Sequence, residues 1–223
     1  MFNMDQPSIL ENISRIIIIG DVHGDITRLL NCLFHANIFS KDLKWIAEPT
    51  NTVVVQMGDQ VDSLNRSDAI QEWETLPDIE VLLQMDQLDK IAKNGGGRVI
   101  SLIGNHEVMN FIGEYSYVSE KSKETYDIDK RRKMFAPGNK LSGILSKRNI
   151  ILKIGDYLFC HGGLLPHHLD LVNNNLHIYN ENVRKILMTP NPTQEDKHVF
   201  YMSSLDPNSI LWTRQYFELA LTN

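Results

Sequence analysis

Residues 15–25 read RIIIIGDVHGD, a run of four isoleucines that ends directly at a polar turn. A continuous β-branched run of this kind indicates a strand that is buried on both faces, as in a parallel sheet covered by helices. Residues 26–39 follow with apolar side chains at three- and four-residue spacing, which predicts an amphipathic helix. A buried strand that leads through a polar turn into a helix is typical of an α/β domain.

The same arrangement returns further along the chain. Residues 51–57 (NTVVVQM) and 98–103 (RVISLI) are predicted as buried strands, and they end at the turns GDQVD and GNHE. Residues 67–93 have helical character with a break near Pro77, and the glycines that follow end this helix. Strands and helices therefore alternate, as they do in open α/β sheets with functional loops at the carboxyl ends of the strands.

The second half of the chain is predicted to contain a hairpin and further helical segments. Residues 150–160 form the hairpin, because a Gly-Asp turn signal separates two apolar runs, and the second strand ends at HGG. The polar segment 111–140 is interpreted as a helical insertion near the site. Residues 189–208 are expected to be an irregular connection and residues 209–221 a final helix. We expect a single domain over residues 1–223.

Composition and charge restrict the class of protein. Hydrophobic residues make up 42% and charged residues 22% of the chain, which is typical of a soluble globular protein. A net charge of −6 argues against a partner nucleic acid held on a broad basic surface, and no apolar stretch is long enough for a membrane span. Cys32 and Cys160 lie in separate apolar runs, which predicts two buried, reduced thiols. We therefore expect a cytoplasmic protein.

Polar side chains with metal-binding chemistry follow four of the predicted strands. Carboxylates, imidazoles and an amide oxygen are suitable ligands for manganese, iron or zinc, whereas a structural zinc site would use thiolates. Bound cations would also give an acidic chain the local positive charge that a phosphate substrate needs. The four groups are Asp21 and His23; Asp59 and Asp62; Asn105, His106 and Glu107; and His161.

The order of these four groups resembles a known family. GDVHG, GDxxD, GNHE and HGG, between Arg15 and Gly163, are similar to the motifs of the calcineurin-like phosphoesterase superfamily. GNHE, its continuation EVMNFIGEYSYVS and the later ILWTR resemble the phosphoprotein phosphatase branch, in particular the Shewanella-like phosphatases. The resemblance implies a four-layer α/β/β/α sandwich.

The resemblance also implies a dinuclear metal site. Asp21 and His23 would bind the first metal, Asp59 would bridge both metals, and Asn105 and His161 would bind the second. We expect two divalent ions, with manganese first and iron or zinc as alternatives. Two metals that share a carboxylate can polarise a phosphoryl group and generate a bridging hydroxide that attacks phosphorus.

The family pattern assigns further roles around the metals. His106 would be the general acid for the leaving oxygen, and Asp62 would orient its imidazole. Asp25 and Glu107 are expected to hold turns or neighbouring ligands. His167 and His168 are expected to be exposed and not to bind a metal, and the remaining histidines lack the spacing of ligands.

Three residues are candidates for binding the substrate phosphate. Asn105 is one, and the others are arginines, whose planar guanidinium forms two parallel bonds to a phosphate. Ser63 stands where the family usually has arginine, so Arg66 is predicted to reach the phosphate instead; a solvated arginine at a helix start is the alternative. Arg214 in LWTR matches a second family arginine, although a surface arginine would look the same.

The chain departs from the family pattern after Arg214. Family members carry one more metal-binding histidine downstream, whereas the nine residues that follow Arg214 contain none. We interpret the chain as a fragment that lacks its C-terminal strands; a partner chain that completes the site and a degenerate second site are the alternatives. If these residues act alone, we expect weak binding of the second metal and low activity.

The function that the resemblance implies is hydrolysis of phosphate monoesters, on phosphoserine and phosphothreonine or on phosphotyrosine in proteins. A phosphodiesterase or diadenosine polyphosphate hydrolase on the same metal core is an alternative. A pseudophosphatase that binds phosphate without turnover is the non-enzymatic alternative, because of the missing histidine and the displaced arginine.

Overall fold

The computed structural model of the protein describes residues 6–63 and 76–216. Its strands are β1 (Ile9–Leu10), β2 (Arg15–Ile19), β3 (Thr52–Gln56), β4 (Arg98–Ser101), β5 (Ile151–Ile154) and β6 (Tyr157–Cys160). Its helices are α1 (Ile26–His35), α2 (Ile79–Asn94), α3 (Asn105–Ile112), α4 (Glu120–Thr125), α5 (Ile128–Phe135), α6 (Lys140–Leu145), α7 (Pro166–Leu171), α8 (His177–Met188) and α9 (Gln194–Ser204).

The three apolar runs of the first half form a parallel sheet in the order β2-β3-β4. β3 is central, and all five of its residues are buried. β2 lies at one side of the described sheet, and Ile18 on this strand is 59% exposed. The expectation of burial on both faces therefore holds for β3 but is wrong for β2, because Ile17 and Ile19 pack on one face while Ile18 is open to solvent on the other.

The second sheet has the order β1-β5-β6, with β1 parallel to β5 and the β5–β6 pair forming the predicted hairpin. The two sheets pack face to face. Val53 and Val55 of β3 share one apolar cluster with Leu152 and Ile154 of β5. Val54 points to the opposite face and packs with side chains of α1 and α2, as the period of two along a strand requires.

The outer face of the second sheet is covered by the other helices. Ile151 of β5 packs in a cluster with Phe135 of α5, Leu141 of α6, Tyr179 of α8 and Phe200 of α9. The layers are therefore helix, sheet, sheet and helix. The predicted α/β sandwich is confirmed.

Two predictions for the C-terminal part are wrong. Residues 189–208 contain helix α9, which begins after Thr193, whose hydroxyl accepts a bond from the Asp196 N–H. The prolines of this segment lie outside α9, so they do not interrupt it. Residues 209–214 do not form the start of the predicted helix, because the N–H groups of Trp212 and Thr213 both donate to the Ser209 carbonyl in a turn. Residues 215 and 216 are helical, and residues 217–221 lie outside the described part.

Helix α1 ends at His35, four residues before the predicted boundary. Asn37 takes a left-handed conformation with φ of 53° and redirects the chain. Ile38 and Phe39 are nevertheless buried, which explains why they continued the apolar pattern. Helices α4 and α5 lie inside the segment predicted as a helical insertion, while the assignment of one domain stays a prediction.

Both cysteines are free. Cys160 is half-buried, but Cys32 is exposed on α1, so its predicted burial is wrong. Among the helices of the described part, none is both long enough and apolar enough to span a membrane.

Candidate metal centre

The side chains of the four sequence motifs meet at the carboxyl ends of the strands. Asp21 and His23 follow β2, Asp59 and Asp62 follow β3, Asn105 and His106 open helix α3 after β4, and His161 follows β6. Since β2, β3 and β4 are parallel, their carboxyl ends lie at one edge of the sheet. The pairing of β5 with β6 carries His161 to the same place.

Asp59 lies at the centre of this group. Its Oδ2 is 3.4 Å from His161 Nε2, 3.8 Å from His23 Nε2 and 3.8 Å from His106 Nε2. Its Oδ1 accepts a hydrogen bond of 3.0 Å from the His106 backbone N–H. The Asp59 carboxylate is thus buried among three imidazoles and has one oxygen directed at all of them.

Two sets of candidate ligands share this carboxylate. His23, Asp59 and His106 form one set, and Asp21, Asp59 and His161 form the other; within each set the ligand atoms lie within 4.8 Å of one another. Asp21 Oδ2 also lies 3.8 Å from His23 Nε2, so Asp21 is close to a histidine of each set. The roles of these residues as metal ligands stay predictions.

The imidazoles of His23 and His161 are oriented as metal ligands require. His23 Nδ1 is 3.1 Å from the Val61 carbonyl, and His161 Nδ1 is 2.9 Å from the Met57 carbonyl. A carbonyl can only accept, so each Nδ1 carries the proton of the bond and Nε2 is the atom that faces the centre. Metal-binding histidines are commonly held in this way. The donors of the centre therefore fit divalent cations of the manganese, iron and zinc class.

Asn105 joins the centre beside His161. The distance between its Oδ1 and His161 Nε2 is 2.8 Å, and the Asn105 side chain is buried. Its amide oxygen can serve as a neutral ligand or as a contact for a phosphate, which are the two roles predicted from the sequence.

The charges of Asp59 and His161 stabilise one another. Burial alone would raise the pKa of Asp59, but the hydrogen bond and charge of His161, with smaller effects of His106, lower it to about 2. Burial alone would lower the pKa of His161, but its interactions with Asp59 raise it to about 9. Asp59 and His161 therefore favour an ion pair, and a divalent cation would compete with the proton on His161 Nε2.

Backbone geometry brings Asp59 to this position. Gly58 has φ of 98°, and a Cβ there would lie 2.5 Å from the Gly104 nitrogen. Only glycine combines this conformation with such a close approach. Asp59 itself, His23 and Asp62 all have positive φ, between 46° and 65°. Non-glycine residues rarely adopt this conformation, and it is strained unless the surroundings enforce it.

Glu107 helps to hold the backbone of these turns in place. Its fully buried carboxylate accepts backbone N–H bonds from Asp59 at 2.9 Å, Gln60 at 2.7 Å, Val61 at 3.3 Å and Gly104 at 2.7 Å. Burial and the charge of Asp59 raise the pKa of Glu107, although the N–H donors oppose the shift. This single side chain ties the turn after β3 to the turn after β4.

His106 and Asp62 form the predicted pair. The distance from His106 Nδ1 to Asp62 Oδ2 is 2.9 Å, and Asp62 is fully buried. The His106 ring also contacts the rings of His23 and Tyr117, with centroids 4.9 Å and 5.1 Å apart in edge-to-face arrangements. The Asp62 carboxylate can therefore fix the tautomer of His106 while Nε2 faces the centre, and its role as an acid stays a prediction.

The predicted phosphate-binding arginines are not brought to the centre by the described contacts. Arg66 lies outside the described residues. The exposed Arg214 donates to the carbonyls of Trp212 at 3.2 Å and Thr213 at 3.1 Å. The preceding segment does reach the HGG turn, because the N–H of Gly162 donates to the Ile210 carbonyl at 2.9 Å. Both phosphate-binding roles stay predictions.

His168 is buried, so its expected exposure is wrong. Its Nδ1 accepts a hydrogen bond of 2.9 Å from the Leu165 N–H at the start of α7. Burial, with the charge of His167, lowers the pKa of His168 to about 4. The histidine acts as a neutral cap of a helix.

Analysis of the sequence missed Arg131, Asp78 and Asn110. All three are buried and connect to Asp62. A signal for Arg131 was present, because it lies three residues after Ile128 and four before Phe135 and so shares the buried face of α5. Nothing comparable marked its partner Asp78, since an acidic residue before a helix is also an ordinary N-cap.

The model of the calcineurin-like phosphoesterase family matches residues 14–214. The chain belongs to this family, and the predicted superfamily and its sandwich fold are confirmed.

Within the family the chain is similar to Shewanella-like protein phosphatases, as predicted. It is 29% identical over 203 residues to Shewanella-like protein phosphatase 1 of Plasmodium berghei (strain Anka), covering 89% of this chain and 51% of that protein. It is 25% identical over 220 residues to Shewanella-like protein phosphatase 2 of Arabidopsis thaliana, covering 78% and 52%. The chain spans about half the length of these curated relatives.

A solved structure agrees. The cold-active protein-tyrosine phosphatase of a psychrophilic Shewanella species superposes with a TM-score of 0.77 and 27% identity, covering 96% of this chain and 61% of that one. The likeness extends over nearly all of the chain.

Proposed function

We propose that the protein is a dinuclear metal-dependent phosphatase that hydrolyses phosphate monoesters, with phosphoproteins as its substrates. The observation that carries the proposal is the buried carboxylate of Asp59, which two sets of candidate ligands share. Membership in the calcineurin-like phosphoesterase family supports the same conclusion.

The side chains of the centre suit the parts of this reaction. When bound, two divalent cations supply Lewis-acid polarisation of the phosphoryl group and lower the pKa of water. Asp21, His23, Asp59, Asn105 and His161 would hold the cations. A further histidine, from another segment of the protein or from a partner chain, would complete the set around His161.

His106 would donate a proton to the leaving oxygen from Nε2, the nitrogen that faces the centre. Asp62 would accept the hydrogen bond from His106 Nδ1. This bond would prevent rotation of the ring, so that Nε2 stays directed at the leaving oxygen. Asn105, Arg66 and Arg214 would bind the phosphate oxygens during this transfer.

The names of the relatives support the proposed substrate class. Two are named protein phosphatases, and the superposed Shewanella enzyme is named a protein-tyrosine phosphatase. We therefore include phosphotyrosine beside phosphoserine and phosphothreonine. Manganese is the proposed metal, with iron or zinc as alternatives, and the exposed free thiol of Cys32 fits a reducing cytoplasm.

The test compares phosphate release from matched peptides that carry phosphotyrosine, phosphoserine or phosphothreonine, with manganese and after chelation. We expect metal-dependent release from at least one peptide and its loss in Asp59→Asn. Asp156→Asn, which changes an exposed carboxylate in the hairpin turn, is the matched control and should retain the activity.

Two results would contradict the proposal. One is the absence of metal-dependent release from every phosphomonoester. The other is faster cleavage of a phosphodiester or of a bis-nucleoside polyphosphate than of any phosphopeptide.

A further inference from the structure

The Asp62 carboxylate is held from three sides inside the protein. Oδ2 accepts the bond from His106 Nδ1 at 2.9 Å, and Asn110 Nδ2 lies 2.9 Å from Oδ1 and 3.0 Å from Oδ2. Arg131 Nη2 donates to Oδ1 at 3.2 Å. Because Arg131 binds Oδ1, it leaves Oδ2 directed at His106.

Arg131 is itself fixed by a second carboxylate. Its Nη1 and Nη2 donate to the two oxygens of Asp78 at 2.8 Å and 2.7 Å, and its Nε donates to Asn110 Oδ1 at 2.5 Å. All of these side chains are fully buried. A guanidinium held by a two-pronged carboxylate contact and two further acceptors has little freedom to move.

Asp78 also fixes the backbone of Asp62. Its Oδ2 accepts the Asp62 N–H at 2.7 Å, and Ser122 of α4 donates to its Oδ1 at 2.9 Å. Asp62 has φ of 65°, a conformation that costs about 1 kcal/mol or more for a non-glycine residue. The Asp78–Arg131 pair therefore stabilises both the strained backbone and the side chain of Asp62.

The burial of this pair is difficult to explain by stability alone. Removing two charges from water costs several kcal/mol for each ion, and apolar residues of similar volume often stabilise a protein equally well. The pair instead supports the contact between Asp62 and His106, because the guanidinium donates directly to the Asp62 carboxylate that binds His106.

We propose that Arg131 is a positioning residue for proton donation by His106. Carried on α5 of the 111–140 segment, it keeps the Asp62 carboxylate in the orientation that fixes the His106 tautomer. The inference rests on the proposed function, in which His106 protonates the leaving oxygen. It predicts that loss of Arg131 affects substrates in proportion to their need for that proton.

The first experiment measures kcat/KM for two aryl phosphates that differ in leaving group. Phenoxide, with a conjugate-acid pKa of about 10, needs a proton as it leaves, whereas dinitrophenoxide is a far weaker base and leaves without one. We expect Arg131→Met to lower kcat/KM for phenyl phosphate at least about tenfold more than for dinitrophenyl phosphate, since general acids contribute about 10²–10⁴-fold. Arg131→Lys keeps the charge but loses the planar pair of N–H donors. It should also lower kcat/KM more for phenyl phosphate than for dinitrophenyl phosphate, but to a smaller extent.

Arg148→Met is the matched control. Arg148 is equally buried and binds Gln60 Oε1 at 2.6 Å and the Leu82 carbonyl at 3.0 Å, with no described contact to Asp62 or His106. Its loss should change kcat/KM for both aryl phosphates by the same factor. If the Arg131 variants also lowered kcat/KM by the same factor for both aryl phosphates, the inference would be wrong.

The second experiment uses the metal-free protein and does not depend on activity. Proton–nitrogen NMR detects the His106 Nδ1–H as a bonded, protected resonance, assigned through its disappearance in His106→Gln. We expect Asp62→Asn and Arg131→Lys to shift this resonance or to make its proton exchange with water faster. Arg148→Met should leave the resonance unchanged.

The two experiments separate the inference from the proposed function. If the native protein hydrolyses no phosphomonoester, phosphopeptides included, the proposed function is wrong and the resonance still decides the inference. An unchanged His106 resonance in Arg131→Lys would refute the positioning role. If Arg131→Met does not fold, Arg131→Lys decides both measurements.

Discussion

Replacing Glu107 with glutamine should destabilise the protein although it hardly changes the volume of the side chain. Oε1 of Glu107 accepts the N–H groups of Gln60 and Val61, and Oε2 accepts those of Asp59 and Gly104. Glutamine has one acceptor oxygen and one NH₂ donor. Whichever way its amide is turned, two buried N–H groups face another donor.

The magnitude follows from these two lost bonds. A buried donor without an acceptor costs about 1–3 kcal/mol, so Glu107→Gln should lower the free energy of unfolding by about 2–6 kcal/mol. The free energy of unfolding of a domain is typically about 5–15 kcal/mol, so the loss would be a large fraction of it. Metal affinity should fall as well, because three of the four N–H groups, those of Asp59, Gln60 and Val61, belong to the turn that carries Asp59.

Urea unfolding followed by circular dichroism measures this change in the metal-free protein. Glu124→Gln is the control, since Glu124 is an exposed carboxylate in an ion pair of 3.3 Å with Lys121, and its loss should cost less than about 0.5 kcal/mol. A Glu107→Gln variant within about 0.5 kcal/mol of the native protein would refute the assigned role of the carboxylate.

Three further predictions concern other parts of the molecule. Gly58→Ala should lower the free energy of unfolding by about 2 kcal/mol or more, because a Cβ at φ of 98° would clash with the Gly104 nitrogen. Thermal denaturation measures this change, and a change below about 0.5 kcal/mol would contradict the prediction. The pKa of His168 is depressed from 6.5 to about 4, so the free energy of unfolding should be highest above pH 6.5 and should decline by about 1–3 kcal/mol toward pH 4. In urea titrations at several pH values, His168→Gln should lose this pH dependence. An unchanged pH dependence in the variant would contradict the prediction. Since His161 has a pKa of about 9 without a metal, manganese binding near neutral pH should release a proton. Calorimetry in buffers of different ionisation enthalpy detects this release. Binding heats that do not depend on the buffer would contradict the prediction.

The parts of the fold that the sequence predicts well are those specified by local pattern. The valines of β3 are buried on both faces as their continuous apolar run indicated. The turns after β2, β3 and β4 each carry a short motif, and parallel pairing of these strands is sufficient to bring the three motifs to one edge. The candidate site was therefore predictable as a group of residues before any side chain was placed.

The grouping of the ligands and the support behind them required the structure. Asp21 lies 3.8 Å from His23 and 3.9 Å from His161, and this placement depends on turn geometry at positive φ, which spacing in the sequence does not determine. Arg131 reaches Asp62 from 69 residues away, and only the packing of α5 against α3 makes that contact. His168 was missed for a similar reason, because burial of a histidine in a polar segment is decided by tertiary contacts.

Metal content after equilibrium dialysis against manganese, at a concentration that fills even a weak site, tests the shared role of Asp59 most directly. The native chain and Asp156→Asn should bind two ions, and Asp59→Asn should lose both, since one carboxylate belongs to both sets of ligands. An Asp59→Asn variant that keeps either ion with native affinity would contradict the shared carboxylate.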